Sequence, residues 1–466
     1  MKKYIFAFLA TGLLAIIFLS QFKLINQPVR DNDEGIYLTT FRLVDKGMPA
    51  YKETFLSQPP GFLLSTYPGF ILFGKSLPAA RLMVSLWAFI GLLSILWIGY
   101  ELNNKWLGLM VIGILYLIPY YYHQTLIFQS DLLVSTFSLL GLAALIRFKN
   151  NLKMKWLALS AFFINLSFWT KFDIALIPAI IFILYFLRNK KIITNKQIGN
   201  YLAVILIIVI VFFVLFIAPF GMDKVVENTI MLRVQAAATY KPSLEILFTL
   251  IKNDNVLLII ILGSCILGFF IKKLNAGYMM ILSWSLSIFI LFLFYRPLFP
   301  HHISMLTVPV SLLFSYSLLS LLRKYPSYYK KIFIFILVLA AAFNLVYRTQ
   351  TALKPALDKN QKKAVEIIIN NTIAGDLIIS DDEILYSLSD RFPPPELADV
   401  SFVRIKSKNL SSEKFMQIVN TYKPKLIIAW NGRLKSIKDF KNIVSGYPVQ
   451  MEFGDSKSIY SLYRLK

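Results

Sequence analysis

The sequence predicts a polytopic α-helical membrane protein of about eleven transmembrane helices. Interfacial helices in the first outer loop and a small C-terminal α/β domain complete the predicted fold. Of the 466 residues, 57% are hydrophobic and only 16% charged, against about 25% charged in a soluble globular domain. Apolar runs of helix-spanning length recur from the first residues to about residue 347. Basic residues gather in alternate loops between those runs, the pattern that sets orientation in a membrane.

The same composition excludes other classes. Phe, Ile, Leu and Tyr are too frequent for a disordered chain. The net charge of +24 is dispersed over short loops and forms no single basic face, so no nucleic-acid partner is expected. Cys265 is the only cysteine, which rules out an intrachain disulfide framework or a thiolate metal cluster.

Taken in order, the first run, Tyr4 to Ser20, follows Lys2 and Lys3. It has no small-residue cleavage site after it and reads as a retained span with a cytoplasmic N-terminus. The stretch from Gln21 to Pro78 is more polar and holds two candidate helices, Glu34–Val44 and Gly61–Phe73. The second is interrupted by Pro68-Gly69 and reads as interfacial, because a proline within a helix removes a hydrogen bond and kinks the chain. Further spans follow at about 79–100, 106–122, 131–147, 156–170, 174–188, 201–219, 255–271, 277–294, 303–322 and 332–347.

The loops then assigned to the cytoplasm carry Arg147, Lys149, Lys153 and Lys155; Arg188, Lys190, Lys191 and Lys196; Lys272 and Lys273; and Arg323, Lys324, Lys330 and Lys331, with no acidic residue among them. Counting Gly61–Phe73 as a span would place these clusters outside, so the charge asymmetry decides the topology. The expectation is a multi-pass protein of the plasma membrane, divided into a transmembrane domain over 1–347 and an extracytoplasmic domain over 348–466. In the latter, helices Gln361–Asn371 and Ser412–Thr421 alternate with strands Leu377–Ser380 and Lys425–Trp430. Two short strands near Val449–Phe453 and Ser458–Arg464 follow, which indicates a small α/β fold.

Chemistry concentrates in the first outer loop. Asp31, Asp33 and Glu34 put three carboxylates within four residues. A carboxylate held at the membrane surface can accept the proton of an attacking hydroxyl. The same residues also suit the N-cap and first turn of a helix. The two roles are compatible.

Asp33-Glu34-Gly35 with Tyr37, the run Gly47-Met48-Pro49-Ala50-Tyr51 and the segment Gln58-Pro59-Pro60-Gly61 are followed by Phe73-Gly74-Lys75-Ser76 and Ala80-Arg81-Leu82. In this order and spacing the chain resembles the GT-C membrane glycosyltransferases. Within them it is most similar to the branch of protein O-mannosyltransferases and the lipid A aminoarabinose transferase. The resemblance covers about residues 25–185, and more loosely Arg296–Pro309. It implies an inverting hexosyl- or pentosyltransferase that moves a sugar from a polyprenyl-phosphate donor to a hydroxyl on a lipid, glycan or protein acceptor at the outer face. The family's catalytic carboxylate maps onto Asp33, with Glu34 beside it and Asp31 as rival.

Lys171 is the second candidate. The 32-residue apolar tract Trp156–Leu187 is broken only by Thr170-Lys171-Phe172-Asp173. As one helix it would run about 48 Å, against a hydrocarbon core of about 30 Å, so the chain must turn at the polar tetrad. An ammonium there either contacts a lipid phosphate or serves locally, paired with Asp173 or snorkelling. The resemblance adds weight to phosphate contact. In the late outer loop Tyr295-Arg296-Pro297-Leu298-Phe299-Pro300-His301-His302, the resemblance implies donor-phosphate contacts from Arg296 and a histidine, beside an anchoring role at the interface. Two adjacent histidines make a poor metal pair unless further ligands join. A divalent metal is compatible with the sequence but is not predicted.

Arg81, at the outer start of a span, has either a phosphate or a snorkelling role, and Asp131 reads as an N-cap. Tyr120–Tyr122 with His123 and Gln124 read as an interfacial aromatic belt. A transporter or flippase of a lipid-linked sugar or other anionic lipid is the competing class. Against it, the acids gather at one outer site, and the sequence has no repeated halves of the kind common in transporters.

Overall fold

The computed structural model describes residues 2–271, 275–353, 359–447, 449–455 and 458–464. Helices stand at all eleven stretches read as spans. Among the described residues, seven helices are long and apolar enough to cross a bilayer, and the pair Ser243–Lys252 and Asn255–Phe269, bent by 104°, makes an eighth if it counts as one span. The remaining stretches are shorter or more polar. Lys105–Leu117 and Ile177–Asn189 have 13 residues each, about 20 Å of helix. Met154–Lys171 carries Asn165, Ser167 and Thr170 in its second half. Lys272 and Lys273, expected in a cytoplasmic loop, lie outside the described residues.

The chain divides into two compact units, each drawn from three stretches. The first comprises residues 1–25, 81–216 and 241–353 and holds nearly all the apolar helices. Its helices approach closely where side chains are small, as is usual in bilayers. A Cβ on Gly141 would lie 2.8 Å from Ile164 Cγ1, and one on Gly108 would lie 2.9 Å from Leu96 Cα. These contacts hold Asp131–Asn151 against Met154–Lys171, and Leu77–Glu101 against Lys105–Leu117. The turn expected at the polar tetrad falls at residues 172–176, opened by Phe172 in the left-handed conformation at φ 56°. At another loop, the buried Glu101 carboxylate accepts from Arg147 at 3.1 Å and from Asn150 at 3.0 Å. One of the basic residues in the topology signal thus also closes a polar contact between helix ends.

The second unit comprises residues 26–80, 217–240 and 354–466. Its sheet has the order β1-β2-β4-β3, with β1 (Ile378–Ser380) parallel to β2 (Leu426–Ala429), and β4 (Ser458–Arg464) antiparallel to both β2 and β3 (Val449–Asp455). The strands agree with the sequence reading to within two residues at either end. β1 and β2 are buried along their whole length, as expected of a parallel pair covered on both faces. One face packs on helix Ser412–Tyr422 through Phe415, Ile418 and Val419, and the other on Lys359–Asn371 through Ala364 and Ile368.

The first-loop helices belong to this unit. Asn32–Asp45 is the amphipathic helix expected near Glu34–Val44. Pro60–Leu72 runs through Pro68 without ending, where the sequence reading has an interruption. Gly35 has a packing reason: a Cβ there would sit 2.8 Å from the backbone nitrogen of Ile384. Helix Asn32–Asp45 is docked on helix Ile384–Ser389. Thr39 Oγ1 donates to Glu383 O at 3.1 Å, Arg42 Nη1 donates to Tyr386 O at 2.9 Å, and Arg42 pairs with Asp390 at 2.5 Å.

Candidate active site

In the second unit the three carboxylates of the first loop take distinct positions. Asp31 has extended backbone and is the N-cap, its Oδ1 accepting from the Asp33 N–H at 3.0 Å. Glu34 is fully buried and reaches back to accept from the Arg30 N–H at 2.9 Å. Asp33, between them, is half-buried and faces the positive end of the helix dipole, which favours an anion. Tyr37, one turn on, donates to Asp33 Oδ2 at 3.4 Å and accepts from Gln58 Nε2 at 2.6 Å. The Gln58 carbonyl in turn accepts from Tyr51 Oη at 2.6 Å. Tyr37, Tyr51 and Gln58, met in the sequence as separate motif residues, therefore form one polar chain that ends on Asp33. A carboxylate oriented in this way is equipped to act as a general base.

The first unit assembles a second polar group. Asp131 opens helix Asp131–Asn151 and Lys171 closes helix Met154–Lys171. Their side chains meet as an ion pair of 2.6 Å, with at most 2% of either side chain exposed. Asp173, the expected local partner of Lys171, is engaged elsewhere. Its Oδ2 accepts from Ser138 at 3.0 Å and from Ser167 at 3.1 Å, and its Oδ1 accepts from the Ala175 N–H at 3.0 Å.

The two histidines join this pair. One ligand-capable atom each of Asp131, His301 and His302 lies within 4.8 Å of the others. The Nδ1 atom of His302 accepts from the Phe299 N–H at 3.0 Å, which places the proton of the neutral ring on Nε2. Asp131 thus supplies the third group that the adjacent histidines lack in the sequence. The trio could ligate a divalent cation, but that ion would share Asp131 with the Lys171 ammonium, and the two positive charges oppose each other. As it stands, the cluster holds the Lys171 ammonium paired with the Asp131 carboxylate, beside two imidazoles.

Arg296 is half-buried at the start of the same loop. Arg81 is buried, with Nη1 donating to Ile25 O at 3.2 Å. Close by in sequence, helices Met154–Lys171, Ile177–Asn189 and Asn195–Phe212 line an apolar cavity of about 500 Å³ among Ile164, Phe168, Trp169, Ile180 and Val209, with Asp173 and Asn165 as polar members.

Comparison with known proteins bears on this arrangement. Residues 57–217 match the family model described as dolichyl-phosphate-mannose-protein mannosyltransferase. No curated protein matches the chain. Among solved structures, the crystal structure of ArnT from Cupriavidus metallidurans bound to undecaprenyl phosphate superposes with a TM-score of 0.68 at 12% identity, covering 98% of this chain and 97% of that one. The apo structure of the same protein gives 0.65 at 12% identity, with 97% of each chain covered. The chain has the GT-C fold.

Within this GT-C fold, the residues that escaped sequence reasoning are informative. Asp131 was legible only as an acid at the head of an apolar run, a pattern that a helix cap explains equally well. Its role as partner to Lys171, 40 positions away, depends on two antiparallel helices bringing the start of one beside the end of the other. The contact from Tyr37 to Gln58 has the same character, since a loop and two helix starts must fold before the side chains meet.

Proposed function

We propose that this chain is an inverting glycosyltransferase that moves a sugar from a polyprenyl-phosphate donor to an acceptor hydroxyl at the outer face of the membrane. The observation that carries the reading is the shared fold along nearly the whole chain with a protein crystallised with undecaprenyl phosphate. The residues supply matching chemistry. Asp33 accepts the proton of the acceptor hydroxyl, whose oxygen then attacks the anomeric carbon. The bond from that carbon to the phosphate oxygen breaks, and the polyprenyl phosphate leaves with the electron pair. Lys171, His301 and His302, with Arg296 and Arg81, are the groups assigned to the phosphate, where fixed cations and N–H donors stabilise developing charge. Asp131 acts through Lys171 by fixing its ammonium. The apolar cavity of the first unit suits an isoprenoid chain. Attack opposite the leaving group inverts the anomeric configuration, and the phosphate leaves without needing a proton.

The test offers purified protein a set of radiolabelled polyprenyl-phosphate sugars and measures release of lipid phosphate. Release that disappears in Asp33→Asn supports the proposal. No release with any donor overturns it. One observation favours a second reading as a flippase, namely the 104° bend between Ser243–Lys252 and Asn255–Phe269, since broken helices mark many transporters. Movement of labelled lipid across proteoliposomes without sugar transfer would establish that reading instead.

A further inference from the structure

The second unit contains three consecutive acids, Asp381, Asp382 and Glu383, directly after β1. The outer two have structural roles. Asp381 Oδ1 accepts from the backbone N–H groups of Trp430 and Asn431, and its Oδ2 accepts from the Leu434 N–H at 3.0 Å, which shapes the loop leaving β2. Glu383 pairs with Arg433 at 2.7 Å and accepts from the Val400 N–H at 3.1 Å. Asp382 is held less fully, its carboxylate accepting from the backbone N–H of Ile384 at the start of the next helix. It is 93% buried by its 7% residual exposure, and the Gln361 amide approaches it at a long 3.4 Å.

Asp382 lines a cavity of about 350 Å³ whose wall also includes Arg30, Asp31, Gln361, Trp430 and Asn431. The cavity lies beyond the carboxyl ends of the parallel pair, because Asp382 follows β1 by two residues and Trp430 follows β2 directly. Crevices at that end of parallel strands are where ligands of α/β sheets bind. The volume falls at the lower end of the ~300–1,000 Å³ range of small-molecule sites.

The lining specifies the class of occupant. Two carboxylates face one guanidinium, a balance that disfavours a phosphate. Two carboxylates and three amides, those of Asn32, Gln361 and Asn431, offer several fixed acceptors and donors, and Trp430 offers an aromatic surface with a polar tip. An uncharged or amino-bearing sugar ring, with hydroxyls at its rim and C–H groups on its face, fits this set. Asp31, on the wall, also caps the helix that carries Asp33.

We infer that this cavity is a carbohydrate subsite, formed by the first outer loop and the C-terminal α/β fold, that holds a sugar unit of the acceptor. The word acceptor rests on the transferase reading proposed above, whereas the binding of sugar does not. The test uses the full chain in detergent on an array of immobilised mono-, di- and trisaccharides. Wild type and Asp33→Asn are expected to bind a common class of sugars. Trp430→Ala and, separately, Gln361→Ala should weaken that binding at least about tenfold, the loss of one good contact. Gln361→Ala keeps the test decisive if Trp430→Ala fails to fold. An array that captures no sugar, or capture unchanged in a folded variant, overturns the inference. Sugar capture that depends on Trp430 in a protein releasing no lipid phosphate from any donor would leave the subsite standing and remove the transferase.

Discussion

Lys171 Nζ lies 2.6 Å from Asp131 Oδ1, with both side chains shut away from solvent. Breaking a buried ion pair from one side leaves an uncompensated charge, typically at a cost of about 3–5 kcal/mol, whereas replacing both partners with apolar residues is often neutral. Lys171→Met and Asp131→Leu should therefore each lower the unfolding midpoint, and the double variant should recover much of the loss. Donor binding should fail in all three. Normal donor affinity in the stable double variant would show that Lys171 serves packing alone.

The three acids of the first loop should separate kinetically. Asp33→Asn should reduce transfer by about 10²–10⁴-fold, the usual contribution of a general base, with donor affinity kept. Asp31→Asn should keep stability, because asparagine caps a helix as well as aspartate does, and should weaken only acceptor binding at the cavity it lines, while Asp31→Ala should lower stability by about 1 kcal/mol. Steady-state assays alongside thermal unfolding distinguish the two effects. Equal losses in Asp33→Asn and Asp31→Asn would reject the assignment of the base to Asp33.

Gly35→Ala tests the docking of helix Asn32–Asp45 on helix Ile384–Ser389. The added methyl would lie 2.8 Å from a backbone nitrogen, so something must shift, at about 1–3 kcal/mol. Faster proteolysis of the C-terminal region than in wild type is the expected outcome. Unchanged proteolysis would mean that the contact yields easily.

Burial pushes the Asp382 carboxyl from its ordinary 3.8 up to about 6. The charged groups acting on it are Arg433, which opposes the rise, and Asp381, which adds to it, while Arg30 and Asp31 line the same cavity. The unfolded chain gives up this proton first, so the contribution of Asp382 to stability falls as pH rises from about 4 and is fully unfavourable above about 6. The stability gained by Asp382→Asn over wild type should grow through that window and then level off. Sugar capture, in contrast, should strengthen in wild type as the carboxylate forms, and should be flatter in Asp382→Asn. Binding and unfolding measured at pH 4, 5, 6 and 7 check both slopes.

Much of this was readable before any coordinates. Apolar length placed the helices, and the tetrad Thr170–Asp173 marked the turn because no single span accommodates 32 apolar residues. Asp33-Glu34-Gly35 stood out as an acidic helix start. Pairings across the sequence were not readable. Lys171 has an acid two positions away, yet Ser138 and Ser167 claim that acid, and the ammonium finds its partner on a neighbouring helix. Pro68 read as an interruption of the candidate helix Gly61–Phe73, and helix Pro60–Leu72 continues through it. The carbohydrate subsite was invisible because its wall comes from residues 29–32, 361, 382 and 430–431, of which only Asp31 stood out in the sequence, and for another role.

Thr39 donates to a carbonyl 344 residues further along the chain. At a synthesis rate of about 5–20 residues per second, the helix that bears Asp33 leaves the ribosome roughly twenty seconds to a minute before the surface it rests on exists. The helix bearing the acid matures last although it is made almost first. A message truncated near its end would therefore yield a protein that is inserted in the membrane yet inert.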